Sequence, residues 1–107
     1  MAHVVISTLV HKRVLTARES VKAVVPELID RLARNGESVE LDFAGIEGVA
    51  PAVLDQLLIS VEHVAGKRDI CLLNMPDPIT RKHQALARAH NRLLAIHGDG
   101  VWRFSPA

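Results

Sequence analysis

Residues 39–58 read VELDFAGIEGVAPAVLDQLL, and within them the hydrophobic period changes from that of a strand to that of a helix. Residues 37–43 alternate: Val39, Leu41 and Phe43 fall on one face, and Ser38, Glu40 and Asp42 on the other. This is the pattern of a strand that buries one side. A loop at residues 44–50 follows, with Gly45 and Gly48. Pro51 then stands at a first helical position, where a missing N–H costs nothing. From Pro51 to Ala65 the apolar residues Val53, Leu54, Leu57, Leu58, Ile59, Val61 and Val64 cover nearly every side, so this helix is expected to be central, closed by Gly66.

Upstream, residues 3–10 (HVVISTLV) are β-branched and apolar and read as a first strand, followed by a basic loop at 11–13. From Thr16, Val21, Val24, Val25, Leu28, Ile29 and Leu32 recur at helical spacing as far as Asn35-Gly36. Pro26 is expected to kink or split that helix. Downstream, residues 69–75 (DICLLNM) read as a strand covered on both faces and broken by Pro76 and Pro78. A long helix is expected over residues 79–96, then Gly98 and Gly100, then a short last strand at 101–104. The order β-α-β-α-β-α-(β) predicts one α/β domain spanning 1–107, with a mixed or mostly parallel sheet of about four strands and three to four helices.

Composition narrows the function classes. With 107 residues, 49% hydrophobic, 23% charged and a formal net charge of +1, the chain fits neither a disordered segment nor a polybasic nucleic-acid module. No apolar run is long enough for a bilayer span, and no signal-peptide pattern opens the chain, so a cytoplasmic protein is expected. The lone Cys71 cannot form an internal disulfide and reads as an inert core thiol.

The stretch 39–58 resembles the centre of STAS domains, the sulfate-transporter and anti-sigma-factor-antagonist type, and is most similar to the small bacterial STAS-like group of unassigned function. The likeness is carried by the strand end Leu41-Asp42-Phe43, by Ala44-Gly45-Ile46, by Val49, and by a helix with a small-residue start and Leu54, Leu57 and Leu58. The helix start at Ala17-Arg18, the strand at 70–73 and a C-terminal helix extend it to about nine tenths of the chain. Phosphoregulated members open this helix with Asp-Ser-Ser-Gly; here Ala50, Pro51, Ala52 and Val53 occupy those places. No Ser or Thr occurs from Leu41 to Ile59, so the serine switch of those members is not expected. The resemblance implies a non-catalytic interaction module that uses Asp42, Gly45, Glu47, Ala50, Pro51, Ala52 and Asp55 to dock a protein partner, an ATPase-like anti-sigma or histidine-kinase-type domain. It implies no cofactor and no metal.

A second reading places a nucleotide or anionic lipid at the same helix N-terminus, where backbone N–H groups attract anions. Within its own loop, Asp42 is expected to accept hydrogen bonds from neighbouring N–H groups. His83, His90 and His97 recur every seven residues, about 10.5 Å apart on a helix, too far to share a metal ion, and are expected to edge its buried stripe. A small enzyme built on one of these histidines is a third reading. Charge is segregated: residues 35–66 hold six acids and no Lys or Arg, and residues 78–98 hold Arg81, Lys82, Arg88 and Arg92 and no acid. Such patches steer an oppositely charged partner or pair two copies of the chain, and a homodimer is a further expectation. Gly45 to Gly48 is a bare G-x-x-G that follows a strand and carries Glu47, unlike an RNA-clamping turn. Trp102-Arg103-Phe104 is expected to pin the chain end to the core.

Overall fold

Three parallel strands form one side of the sheet, and an antiparallel hairpin completes it. The computed structural model of the chain describes residues 2–6, 14–15, 26–27, 29–31, 38–98 and 100–107. Strand β1 (Ala2–Val5) pairs with β3 (Val39–Asp42), and β3 with β5 (Ile70–Leu73), all parallel and in register over four residues. Parallel neighbours need a crossover. Helix α1 (Pro51–Ala65) supplies the one between β3 and β5. The order β1-β3-β5-β7-β6 is completed by β6 (Arg92–Ile96) and β7 (Trp102–Pro106), which are antiparallel to each other, with β7 also antiparallel to β5. The fold is thus α/β with a mixed sheet.

One face of this sheet is the core. Val39, Ile70, Phe104 and Leu94 lie in one row across it, and Leu41, Leu72 and Trp102 in the next, all buried. Val53, Leu54, Leu57, Leu58 and Val61 of α1, and Ala87 of helix α2 (Arg81–Ala89), join the same cluster, so both helices cover the same face. The alternation seen at residues 37–43 holds: Val39, Leu41 and Phe43 are buried, whereas Ser38, Glu40 and Asp42 are half-buried. Trp102 and Phe104 sit in the core and anchor the end of the chain, as expected.

Several expectations are corrected. The long helix over 79–96 is instead α2 followed by β6. Asn91 adopts a left-handed φ of 56°, which Asn tolerates better than most residues, and there the helix ends. Residues 92–96 then pair with β7 at every position from Arg92↔Pro106 to Ile96↔Trp102. Ile79, Leu86 and Leu93, seven residues apart, fit a helix equally well; cross-strand pairing outweighed that local preference. The three histidines therefore share no helical stripe: His83 is buried in α2, His90 caps its C-terminus, and His97 follows β6.

Among the described residues, helices cover the strand at 70–73 on one face only. Its buried and half-buried residues alternate, and Cys71 is half-buried on the face opposite the helices, next to Glu40 and Arg103 in register. The expected loop at 44–50 contains β4 (Gly48–Val49), paired in parallel with β2 (Val14–Leu15). Of the first expected strand, residues 2–5 are strand and Ile6 is buried in a helical turn; the remainder lies outside the described residues. Of the helix expected from Thr16, residues 26–27 and 29–31 are helical, with Ile29 half-exposed. Its other apolar positions and the turn before Pro26 lie outside the described residues.

Candidate functional site

In open α/β sheets the concave sites lie beyond the carboxyl ends of the parallel strands. Here that end is knit by Asp42. Its Oδ1 accepts the Ala44 N–H at 2.9 Å, the local bond expected of it, and also the Asn74 side-chain amide at 2.7 Å. Asn74 follows β5 and holds a φ of 56°. The left-handed backbone costs a residue with a side chain on the order of 1 kcal/mol, and here it accompanies a charge-assisted bond that ties the ends of β3 and β5 together. Gly45 turns the chain at φ 84°, where a Cβ would be strained, and Ile46 closes the turn by donating to the Phe43 carbonyl at 2.9 Å. Farther along, the Val49 N–H points to the Asp77 carboxylate across 3.5 Å.

On this base the start of α1 is presented to solvent. Gly45, Glu47, Pro51 and Ala52 are exposed, and Ala50 is half-buried. Ala50 is the N-cap, with the extended backbone a cap requires but no side-chain oxygen to accept a bond. Its carbonyl takes the N–H groups of Val53 at 3.0 Å and Leu54 at 3.1 Å. Six of the seven residues singled out in the sequence thus gather at one end of the molecule. Asp55 stands one turn further along and has a different partner.

That partner is His90, and it belongs to a cluster at the other end of α1. Nε2 of His90 lies 2.8 Å from Asp55 Oδ1, and Nδ1 lies against Glu62 Oε1. Arg92, 3% exposed, donates from Nε to Glu62 Oε2 at 3.2 Å, from Nη1 to the Arg68 carbonyl at 2.9 Å, and from Nη2 to the Gly66 carbonyl at 2.6 Å. A second Nη1 contact reaches the Phe104 carbonyl at 3.4 Å. The planar guanidinium thus holds the C-terminal end of α1, the turn after it and β7 at once. A cleft of about 230 Å³ opens beside the cluster, between Glu62, Lys67, His90 and Asn91. Both ring nitrogens of His90 face carboxylates and most Arg92 donors have acceptors, so the groups at the cleft are engaged with each other.

His83 is engaged in a third way. The Thr80 N–H, at the N-cap of α2, donates to its Nδ1 at 3.0 Å, the role that Glu or Gln fills in a capping box. Its ring meets Trp102 edge-on, with centroids 4.7 Å apart. Burial pushes its pKa below the usual histidine value, opposed by the nearby Asp77 carboxylate. Burial likewise raises the Cys71 thiol, partly countered by Arg103, so Cys71 favours the unreactive protonated form. Arg103 itself is bound by Asp69, whose hydrogen bond and charge raise its pKa further.

Among the described residues, no group of three His, Cys, Asp or Glu is placed to hold a metal ion, and no helix is long and apolar enough to cross a membrane. Asn74, Asp77 and the Glu62–His90–Arg92 cluster escaped the sequence reading. The first two lie some thirty residues from their partners, and the last was hidden by reading 79–96 as one helix. Compared with protein-family models, curated proteins and solved structures, the chain matches none.

Proposed function

We propose that this chain is a non-catalytic interaction module of STAS-like type, which docks a protein partner through residues 44–55 without a phosphorylatable serine. One observation carries the reading. Gly45, Glu47, Pro51 and Ala52 are exposed together, on a loop fastened beneath by Asp42, Asn74 and Asp77. A preorganised surface of small side chains loses little conformational entropy on binding and lets a partner backbone approach closely. The resemblance of this stretch to STAS domains makes an ATPase-like anti-sigma or histidine-kinase-type domain the partner class.

The test is Pro51→Arg, titrated calorimetrically against such an ATPase domain. Binding should weaken by at least about tenfold, or 1.4 kcal/mol, while the unfolding midpoint of the variant stays where it was. Undiminished binding overturns the proposal. The anion-binding alternative has less support from this geometry. Pro51 has no N–H to offer, the Val53 N–H already donates to Ala50, and Asp42, Glu47 and Asp77 stand on the same side.

A further inference from the structure

Strand β6 ends the sheet with one side unused. Among the described residues it pairs with β7 alone. At one end of that ladder the Asn91 carbonyl accepts the Ala107 N–H at 3.0 Å, and at the other the His97 N–H donates to the Val101 carbonyl at 2.9 Å. In an antiparallel pair, residues that exchange hydrogen bonds alternate with residues that do not. Residues 91, 93, 95 and 97 therefore turn their backbone groups to β7. Arg92, Leu94 and Ile96 turn theirs outward, with no backbone partner among the described residues. Such an edge is a template for another strand.

The usual protections of an edge are missing here. Residues 92–96 contain no Pro, Lys, Asp or Glu, and their register with β7 has no bulge. The one charge, Arg92, is 3% exposed, and its guanidinium is turned to Glu62 and to the Gly66 and Arg68 carbonyls of its own chain. Of the four large apolar side chains exposed among the described residues, two, Leu93 and Ile96, lie on this strand, each 62% exposed. Ile96 ends the core row of Leu41, Leu72 and Trp102, and Leu93 stands with exposed Ala95 on the face opposite the helices. The edge is thus apolar on both faces.

We infer that β6 pairs antiparallel with β6 of a second copy about a two-fold axis at Leu94, joining two five-stranded sheets into one. The strand fits its own copy in that register. Leu94 faces Leu94, and Arg92 faces Ile96 twice, so every outward N–H and C=O of the three residues is bonded. An axis at Leu93 or at Ala95 instead leaves the outward groups of Ile96 or of Arg92 unpaired. On the face opposite the helices, Leu93 lies against Ala95 at both crossings, large against small, and no like charges meet. These matches select a second copy over a strand of another protein. The contact uses none of residues 44–55 and stands or falls independently of a partner docked there.

Sedimentation equilibrium and amide hydrogen exchange on the full chain test the inference. The chain should dimerise with a dissociation constant below about 1 mM. Leu93→Lys places a charge at the edge and should weaken the dimer at least about tenfold. Ile96→Pro deletes an outward donor, leaves every bond to β7 in place, and should give a monomer. Both side chains are exposed, so neither substitution opens the core. In the wild type, exchange at the Leu94 and Ile96 amides should slow about fourfold as the concentration rises from about tenfold below to about tenfold above the dissociation constant, while that of Ala52 stays as it was. A wild type that is monomeric at about 1 mM overturns the inference and leaves the edge to a strand of another protein. A dimer that neither substitution weakens, or one that leaves exchange at Leu94 and Ile96 unchanged, overturns it as well.

Discussion

The two ends of helix α1 are built on opposite plans. At its C-terminal end Glu62, the Gly66 and Arg68 carbonyls, His90 and Arg92 engage one another around a nearly inaccessible guanidinium. At its N-terminal end a proline and two alanines face outward or lie half-buried, with no side-chain cap. One helix thus has an end that fastens the fold and an end left free of polar commitments. A fastened end and a bare, exposed end lie within fifteen residues of each other. The helix's apolar middle, Val53 to Val61, is what both ends have in common.

This contrast can be tested by substitution, and its largest consequence is at the fastened end. Arg92→Ala takes the buried guanidinium away from Glu62 Oε2 and from the Gly66, Arg68 and Phe104 carbonyls and should cost about 3–5 kcal/mol in urea unfolding. A loss under 1 kcal/mol would mean that the cluster contributes little. At the free end the sign reverses. Ala50 already has the backbone of an N-cap, so Ala50→Ser should stabilise the chain by about 1 kcal/mol by supplying the missing acceptor. An unchanged or lowered midpoint would show that the bare start of α1 is not an unfilled cap.

The smallest effect expected lies on α2 and depends on pH. Because the folded chain holds His83 below its ordinary value of 6.5, the unfolded chain takes up the proton first as pH falls. Stability linked to His83 is therefore complete above 6.5 and is lost as pH drops through the lowered value. Protonated Nδ1 can no longer accept the Thr80 N–H. His83→Gln keeps an acceptor and does not titrate, so wild type should lose melting temperature relative to this variant between about pH 7.5 and about pH 5.5. A constant difference across that range would remove His83 from the acid response.

How far the fold was legible follows from the kind of signal each element carries. The strand at 39–42 declares itself by its alternation, and the helix at 51–65 by Pro51, Gly66 and the apolar run between them. That run, on nearly every side in the sequence, predicts a central helix, but Pro51, Ala52, Ile59 and His63 are exposed, so the helix covers the sheet with one face and shows the other to solvent. Residues 92–96 carry no such signal: RLLAI has no period of its own, and only the five pairs with β7 make it a strand. For the site, exposure at Gly45, Glu47, Pro51 and Ala52 agreed with a loop of small residues before a helix. The Asn74 clamp could not be read, because nothing local distinguishes an Asn that turns left-handed to reach a carboxylate from any other Asn after a strand.

What the amino-acid order determined by itself was local: which faces of residues 39–65 are apolar, where Pro51 lets a helix begin, the absence of a hydroxyl from 41 to 59, and the segregation of acids from bases. These follow from side-chain chemistry and from the periods of strand and helix. Tertiary structure alone decided that residues 79–96 divide into a helix and a strand, that His90 and Arg92 meet Glu62, and that acidic and basic helices lie side by side on one face. Those outcomes depend on contacts between residues 6 to 35 positions apart, where the free energy of burying and pairing groups outweighs the preference of any short segment.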